Sequence, residues 1–145
     1  MPRPPVFRAR MLGLVVAGGV LGVALRELLL LPFGTGQAAD SLVLPAATMG
    51  VNVVGSFALG IVIGQLGDGH PLTRAFLGTG VLGGFTTYSA FAVQTAVLLG
   101  IVPWAGVVLA GVSVLLGLAA AALGLRLASP SRSAGTTSSG PGGSQ

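Results

Sequence analysis

Four long apolar runs, separated by short stretches of Pro, Gly and charged residues, organise the chain. The first extends from about Met11 to Leu31, the second from Val43 to Leu66, the third from Ala75 to Gly100 and the fourth from Val102 to Leu127. Each reaches the roughly 20 residues that a helix needs to cross a bilayer. Pro32 closes the first run, because proline has no amide hydrogen and clashes with the preceding turn. Gly67-Asp68-Gly69-His70-Pro71 closes the second with turn-forming residues. Pro103 fits the first turn of the fourth, where an amide lacks a helical partner anyway. The pattern predicts an all-α integral membrane protein of four transmembrane helices over residues 11–127. An N-terminal segment, 1–10, precedes it. The Ser/Thr/Gly/Pro tail, 128–145, buries too little apolar surface to offset its chain entropy and is expected to be disordered. The first run is too long for a signal-peptide core and is read as a span.

Composition narrows the chemistry. Hydrophobic types make up 52% of 145 residues and charged types 7%, against about a quarter in soluble domains. With no cysteine, one histidine and three carboxylates, the chain lacks the material for a thiol nucleophile, a zinc site or a general acid/base pair, and is not read as an enzyme. Its seven arginines are scattered and form no basic face for nucleic acid. Small residues recur at helical spacing: Gly18 and Gly22; Ser56, Gly60 and Gly64; Ser113, Gly117 and Ala121. In lipid such stripes let helix backbones approach closely.

Polar groups inside apolar runs are costly and mark function. Asn52 sits in the second run with Gly55 and Ser56 on the same face. Its side chain suits either a helix–helix hydrogen bond or a pore. In the third run, Gly83-Gly84-Phe85-Thr86-Thr87-Tyr88-Ser89-Ala90-Phe91 is poor material for a continuous helix, and a break is expected near Gly83–Thr87. Breaks are tolerated in hydrocarbon where protein or a wet cavity satisfies the freed peptide groups. Transport proteins use them to bind ions. Tyr88, Phe91 and Thr95 then share a face, and aromatic ring edges carry partial positive charge suited to an anion. Arg26 and Glu27, adjacent in sequence, are expected to point about 100° apart and so not to pair simply by being neighbours. Arg26 could concentrate anions at a pore mouth.

These residues resemble the CrcB/Fluc fluoride-channel family over residues 13–127. Gly18 through Arg26 is similar to its glycine-rich opening, Val51 through Phe57 to its pore-asparagine motif, and Gly83 through Phe91 to its most distinctive signature. Ser113 through Gly124 fits more loosely. The resemblance implies an antiparallel dimer with two narrow fluoride pathways and a structural, non-transported sodium ion at the dimer centre. Backbone carbonyls of Gly83 and Thr86 would hold that ion. Asn52, Tyr88, Phe91, Ser89, Thr87 and Ser113 would line the pore, with Arg26 in the vestibule. Family members usually have Phe at the position of Tyr88 and Thr at that of Ala90. Here a hydroxyl and bulk are added at one position, and a donor is removed at the other.

Four spans place both termini and the loop before Arg74 on one side, with Arg3, Arg8, Arg10, Arg74, Arg126 and Arg132. The positive-inside rule puts that side in the cytoplasm of a cell that carries the chain in its plasma membrane. Such bias favours one orientation, and hence a dimer with an oppositely oriented homologous subunit. Two other classes compete with a channel. A small multidrug-type proton exchanger would use Glu27 as its carboxylate but leaves residues 83–91 without a role. A non-transporting assembly subunit would explain the glycine stripes alone.

Overall fold

The computed structural model describes residues 5–33, 42–67 and 69–128, and in these it is helical apart from short connections and residues 86 and 87. Helix α1 spans Pro5–Leu30 and runs into a tight 3-10 turn, Leu31–Phe33, that contains Pro32. Helix α2 spans Val43–Leu66 and ends on Gly67, whose φ of 49° is costly for residues with a Cβ. A third apolar span, Pro71–Ile101, begins with Pro71 at the first helical position. It comprises the turn α3 (Pro71–Arg74), a wider i→i+5 segment (Ala75–Leu82), the short α4 (Gly83–Phe85) and α5 (Tyr88–Ile101). Helix α6 spans Pro103–Ala128. Four helical segments are therefore long and apolar enough to cross a membrane. Residues 1–4 and 129–145 lie outside the described residues, whereas Ala128 of the expected tail belongs to α6 and residues 5–10 of the expected N-terminal segment belong to α1.

The burial pattern is inverted relative to a water-soluble domain. Among the described residues the buried polar side chains are Thr48 and Thr87, and the one buried apolar side chain is Ala75. Leu, Val and Ile crowd the outside, as lipid or a partner requires. Trp104, 71% exposed at the start of α6, suits a membrane–water interface.

Two glycine-mediated contacts make the bundle. Helix α1 packs on Ala75–Leu82 and α4, and α2 packs along α6. A Cβ on Gly22 would strike the Val81 carbonyl, and one on Gly18 would lie 2.9 Å from the Val81 nitrogen. In the second pair, Gly60 faces the Ala121 carbonyl, Gly124 faces that of Phe57, and Ser56 Oγ lies 3.5 Å from the Gly117 position. Backbones touch backbones because hydrocarbon gives helices no hydrophobic reason to associate and leaves dispersion as the main attraction.

Gly22→Ala should destabilise the protein by about 1–3 kcal/mol, because the neighbour is backbone and cannot yield like a side-chain tip. Thermal unfolding in detergent measures this. Gly13→Ala, where nothing lies within 4 Å, should leave the midpoint nearly unchanged.

Candidate functional site

Thr86 and Thr87 leave the helical region of backbone space, with φ, ψ of −78°, 149° and −136°, 114°. Local chemistry favours the exit. Thr86 Oγ1 donates to the Leu82 carbonyl at 2.9 Å, and the Thr86 N–H donates to the same oxygen at 3.0 Å. Such back-bonding competes with regular helix. Thr87 then starts α5, its Oγ1 accepting from the Ala90 N–H at 3.2 Å as an N-cap.

The peptide of Thr87 is paired from another helix. Its N–H donates to Asn52 Oδ1 at 2.8 Å, and Asn52 Nδ2 donates back to its carbonyl at 3.2 Å. The side-chain amide thus completes a two-bond ring with the main-chain groups of Thr87. One Nδ2 hydrogen remains for another acceptor. Of the two roles open to Asn52, the structure shows the interhelical bond and leaves that donor spare.

Pairing of the backbone explains where carbonyls are released. In an unbroken α-helix the Gly83 carbonyl would accept from Thr87 N–H, and that of Thr86 from Ala90 N–H. Both donors are held by side chains instead, Asn52 Oδ1 and Thr87 Oγ1. Two peptide oxygens thereby lose their helical donors within four residues. Such hard, neutral oxygens fit a hard cation such as sodium. Among the described residues, no group of His, Cys or carboxylate side chains could hold a metal ion.

Two open clefts flank this region. One, of about 430 Å³, is lined by Asn52, Thr86, Thr87, Tyr88, Phe91 and Ser113 among others. Among the described residues, no charged side chain lines it. The Tyr88 and Phe91 rings lie 6.2 Å apart and are tilted by 48°. Ser113 Oγ and Thr95 Oγ1 are buried without a hydrogen-bond partner. Tyr88 is 81% exposed, so this chain covers one side of the cleft and leaves the other open.

The second cleft, of about 570 Å³, is lined by Arg26, Glu27, Thr48, Thr87, Ser89 and Gln94 among others. Thr87 borders both clefts, and its Oγ1 lies 3.3 Å from Ser89 Oγ. Ser89 therefore shares a cleft with Arg26, whereas Ser113 shares one with Asn52. Gly83 lines neither.

One expectation is corrected. Arg26 and Glu27 do pair: Arg26 Nη2 and Nε donate to Glu27 Oε1 at 2.8 and 3.2 Å. Their Cα–Cβ bonds diverge, but the long arginine stem folds back across the gap. Arg26 Nη1 also reaches the Gly84 carbonyl at 3.5 Å, a weak bond to the middle of α4. Two further polar residues escaped the sequence reading. Gln94 Nε2 donates to Thr48 Oγ1 at 3.0 Å, and Thr48 is 1% exposed. Thr48 precedes Asn52 by one helical turn, and Gln94 is an uncharged amide within a span. Both signals were present in the sequence.

Residues 13–125 match the model of a family described as CrcB-like protein, Camphor Resistance (CrcB). The chain is also similar to a fluoride-specific ion channel, FluC 2, of Rhodococcus jostii (strain RHA1). The two are 46% identical over 120 residues, covering 80% of this chain and 96% of the relative.

Asn52→Ala should release both peptide groups of Thr87. With an unmade buried hydrogen bond worth about 1–3 kcal/mol, exchange of the Thr87 amide should quicken at least about fivefold. Ser113→Ala removes a hydroxyl without a partner and should leave that amide unchanged. Hydrogen exchange in detergent micelles reads both.

Proposed function

The chain belongs to the CrcB family, and from that premise we propose that it is a passive fluoride-selective channel working in an antiparallel dimer. The observation that carries the reading is the uncharged cleft in which one spare Asn52 N–H, the Ser113 hydroxyl and the rings of Tyr88 and Phe91 converge. Fluoride holds its water tightly, so a pathway has to offer replacement donors. It also has to let the ion go, which weak, multiple sites do and a fixed charge does not. Asn52 and ring edges can hand the ion onward. Thr87 and Ser89 continue hydroxyl donors toward the Arg26 cleft.

The half-open cleft and the exposure of Tyr88 support completion of the pathway by a second subunit. The carbonyls of Gly83 and Thr86, deprived of their helical donors, support a structural sodium ion at the centre of that dimer. When bound, the ion would supply fixed positive charge that keeps the interrupted span in place. Excess arginine on the terminal side supports cytoplasmic termini and one inserted orientation, hence pairing with an oppositely oriented homologue. The Tyr88 hydroxyl and the lost donor at Ala90 would then make the two pathways of such a pair unequal.

Function follows from acid trapping. Hydrogen fluoride crosses bilayers uncharged and ionises at cytoplasmic pH. A leak for the anion, driven outward by the membrane potential, therefore lowers internal fluoride without energy coupling. The proton exchanger is disfavoured because it gives no role to the Asn52–Thr87 ring and the extended residues beside it.

Liposomes loaded with fluoride and given a potassium shunt should discharge fluoride and retain chloride. Phe91→Ile should slow discharge at least about tenfold, equivalent to roughly 1.4 kcal/mol of barrier. Replacing sodium by a large organic cation should abolish discharge without sodium crossing. Fluoride retention by the wild-type protein, made alone and with an oppositely oriented homologue, would sink the reading. A C-terminal tag in intact cells should be labelled from the cytoplasmic side only; labelling from both faces would restore a dual-orientation homodimer.

A further inference from the structure

The channel mouth holds an anion of its own. Arg26 is the one cation among the described residues lining its cleft, and both of its contacts to Glu27 end on a single carboxylate oxygen. The arginine side chain is 17% exposed and that of Glu27 is 62% exposed. An anion entering from water therefore meets the carboxylate first. Of five guanidinium hydrogens, two are directed to Glu27 and a third to the Gly84 carbonyl, so two remain for a passing ion.

We infer that Glu27 is a tethered counter-anion that cancels the attraction of Arg26 for fluoride and so limits entry into the pathway. The inference rests on the channel reading above and deepens it. The physical basis is local. A lone guanidinium in a cleft focuses potential and concentrates anions, whereas a carboxylate at 2.8 Å turns that monopole into a short dipole whose field fades within a few ångströms. Exposed ion pairs are weak and exchange readily. Fluoride thus competes with the carboxylate for the two remaining donors and for the Thr87 and Ser89 hydroxyls beyond. The benefit is release: an unopposed arginine beside a neutral pathway would hold the ion at its entrance. Arg26 also contacts the Gly84 carbonyl within α4 at 3.5 Å. Glu27 occupies the face of the guanidinium that this contact leaves open.

The test measures fluoride discharge from liposomes for the wild type, Glu27→Gln and Glu27→Ala, each with and without Arg26→Gln, at about 10 mM and about 300 mM ionic strength. Both neutral variants should discharge about three- to tenfold faster than the wild type at low salt. The gain should shrink at high salt, where the screening length falls from ~30 Å to well under 10 Å. In the Arg26→Gln background the same substitutions should give no gain. A merely structural role for Glu27 would not produce an increase that vanishes with salt and with Arg26. Neutral variants that conduct no faster than the wild type, or gain equally without Arg26, overturn the inference and leave the channel reading standing. No fluoride discharge from any protein at either salt overturns the channel reading, and this inference with it.

Discussion

Hydrocarbon supplies no hydrogen bonds, so each peptide group freed from a helix in a membrane has to be met by protein or by water drawn inward. This requirement is concentrated at Thr86–Thr87, where the third span leaves helical geometry. Asn52 meets it with both halves of its amide, and Thr87 Oγ1 meets the next N–H. The cleft, the displaced carbonyls and the exposed Tyr88 all follow from that pairing. Two side chains substitute for the missing turn, and the carbonyls they displace are left for something else.

Such pairing needs the second span to stand very close to the interruption, and small residues set that distance. A Cβ on Gly55 would lie 2.5 Å from the Thr86 methyl and 3.1 Å from the Phe85 ring. Any larger residue there would push α2 outward, one turn from Asn52. On the opposite side, Gly84 lies against the Gly19 carbonyl, and Gly22 against Val81. Helix α1 therefore braces the segment before the interruption while α2 holds its far end. The glycines serve packing, and through packing they place the polar groups.

Much of this was legible in the sequence. The four spans follow from run length, and the terminal prolines and glycine sit where backbone chemistry demands. Of the run expected to resist helix, Gly83–Phe85 is helical, and only Thr86 and Thr87 take extended backbone angles. The two-bond ring between Asn52 and Thr87 was not legible, because spacing along one helix says nothing of which peptide another helix presents. Helical-wheel angles also misjudged Arg26 and Glu27. They describe where Cα–Cβ bonds point, whereas a three-methylene stem lets the guanidinium return to its neighbour. The wide segment Ala75–Leu82 left no mark in hydropathy, since its residues are apolar or small in either winding. Thr48 and Gln94 drew no notice in the sequence because neither carries charge, although their mutual bond lies in the same cleft as Arg26.

Charge and neutrality are distributed unevenly along the polar face, and that distribution is the strongest link between structure and transport. Arg26 and Glu27 stand in one cleft; the other, beyond Thr87, offers amide, hydroxyl and ring donors without charge. On the proposed channel reading, a small anion would exchange water for donors gradually between the two clefts, both of which Thr87 borders. A charged interior would bind tightly and stall, whereas an interior without donors would exclude the ion altogether. Buried hydroxyls at Thr95 and Ser113 lacking protein partners fit this middle case. Their hydrogen-bonding capacity is unspent inside the chain, and a buried polar group without a partner is costly unless something visits it. This chain leaves the cleft open beside Tyr88, and on the proposed dimer reading a second subunit would face these donors.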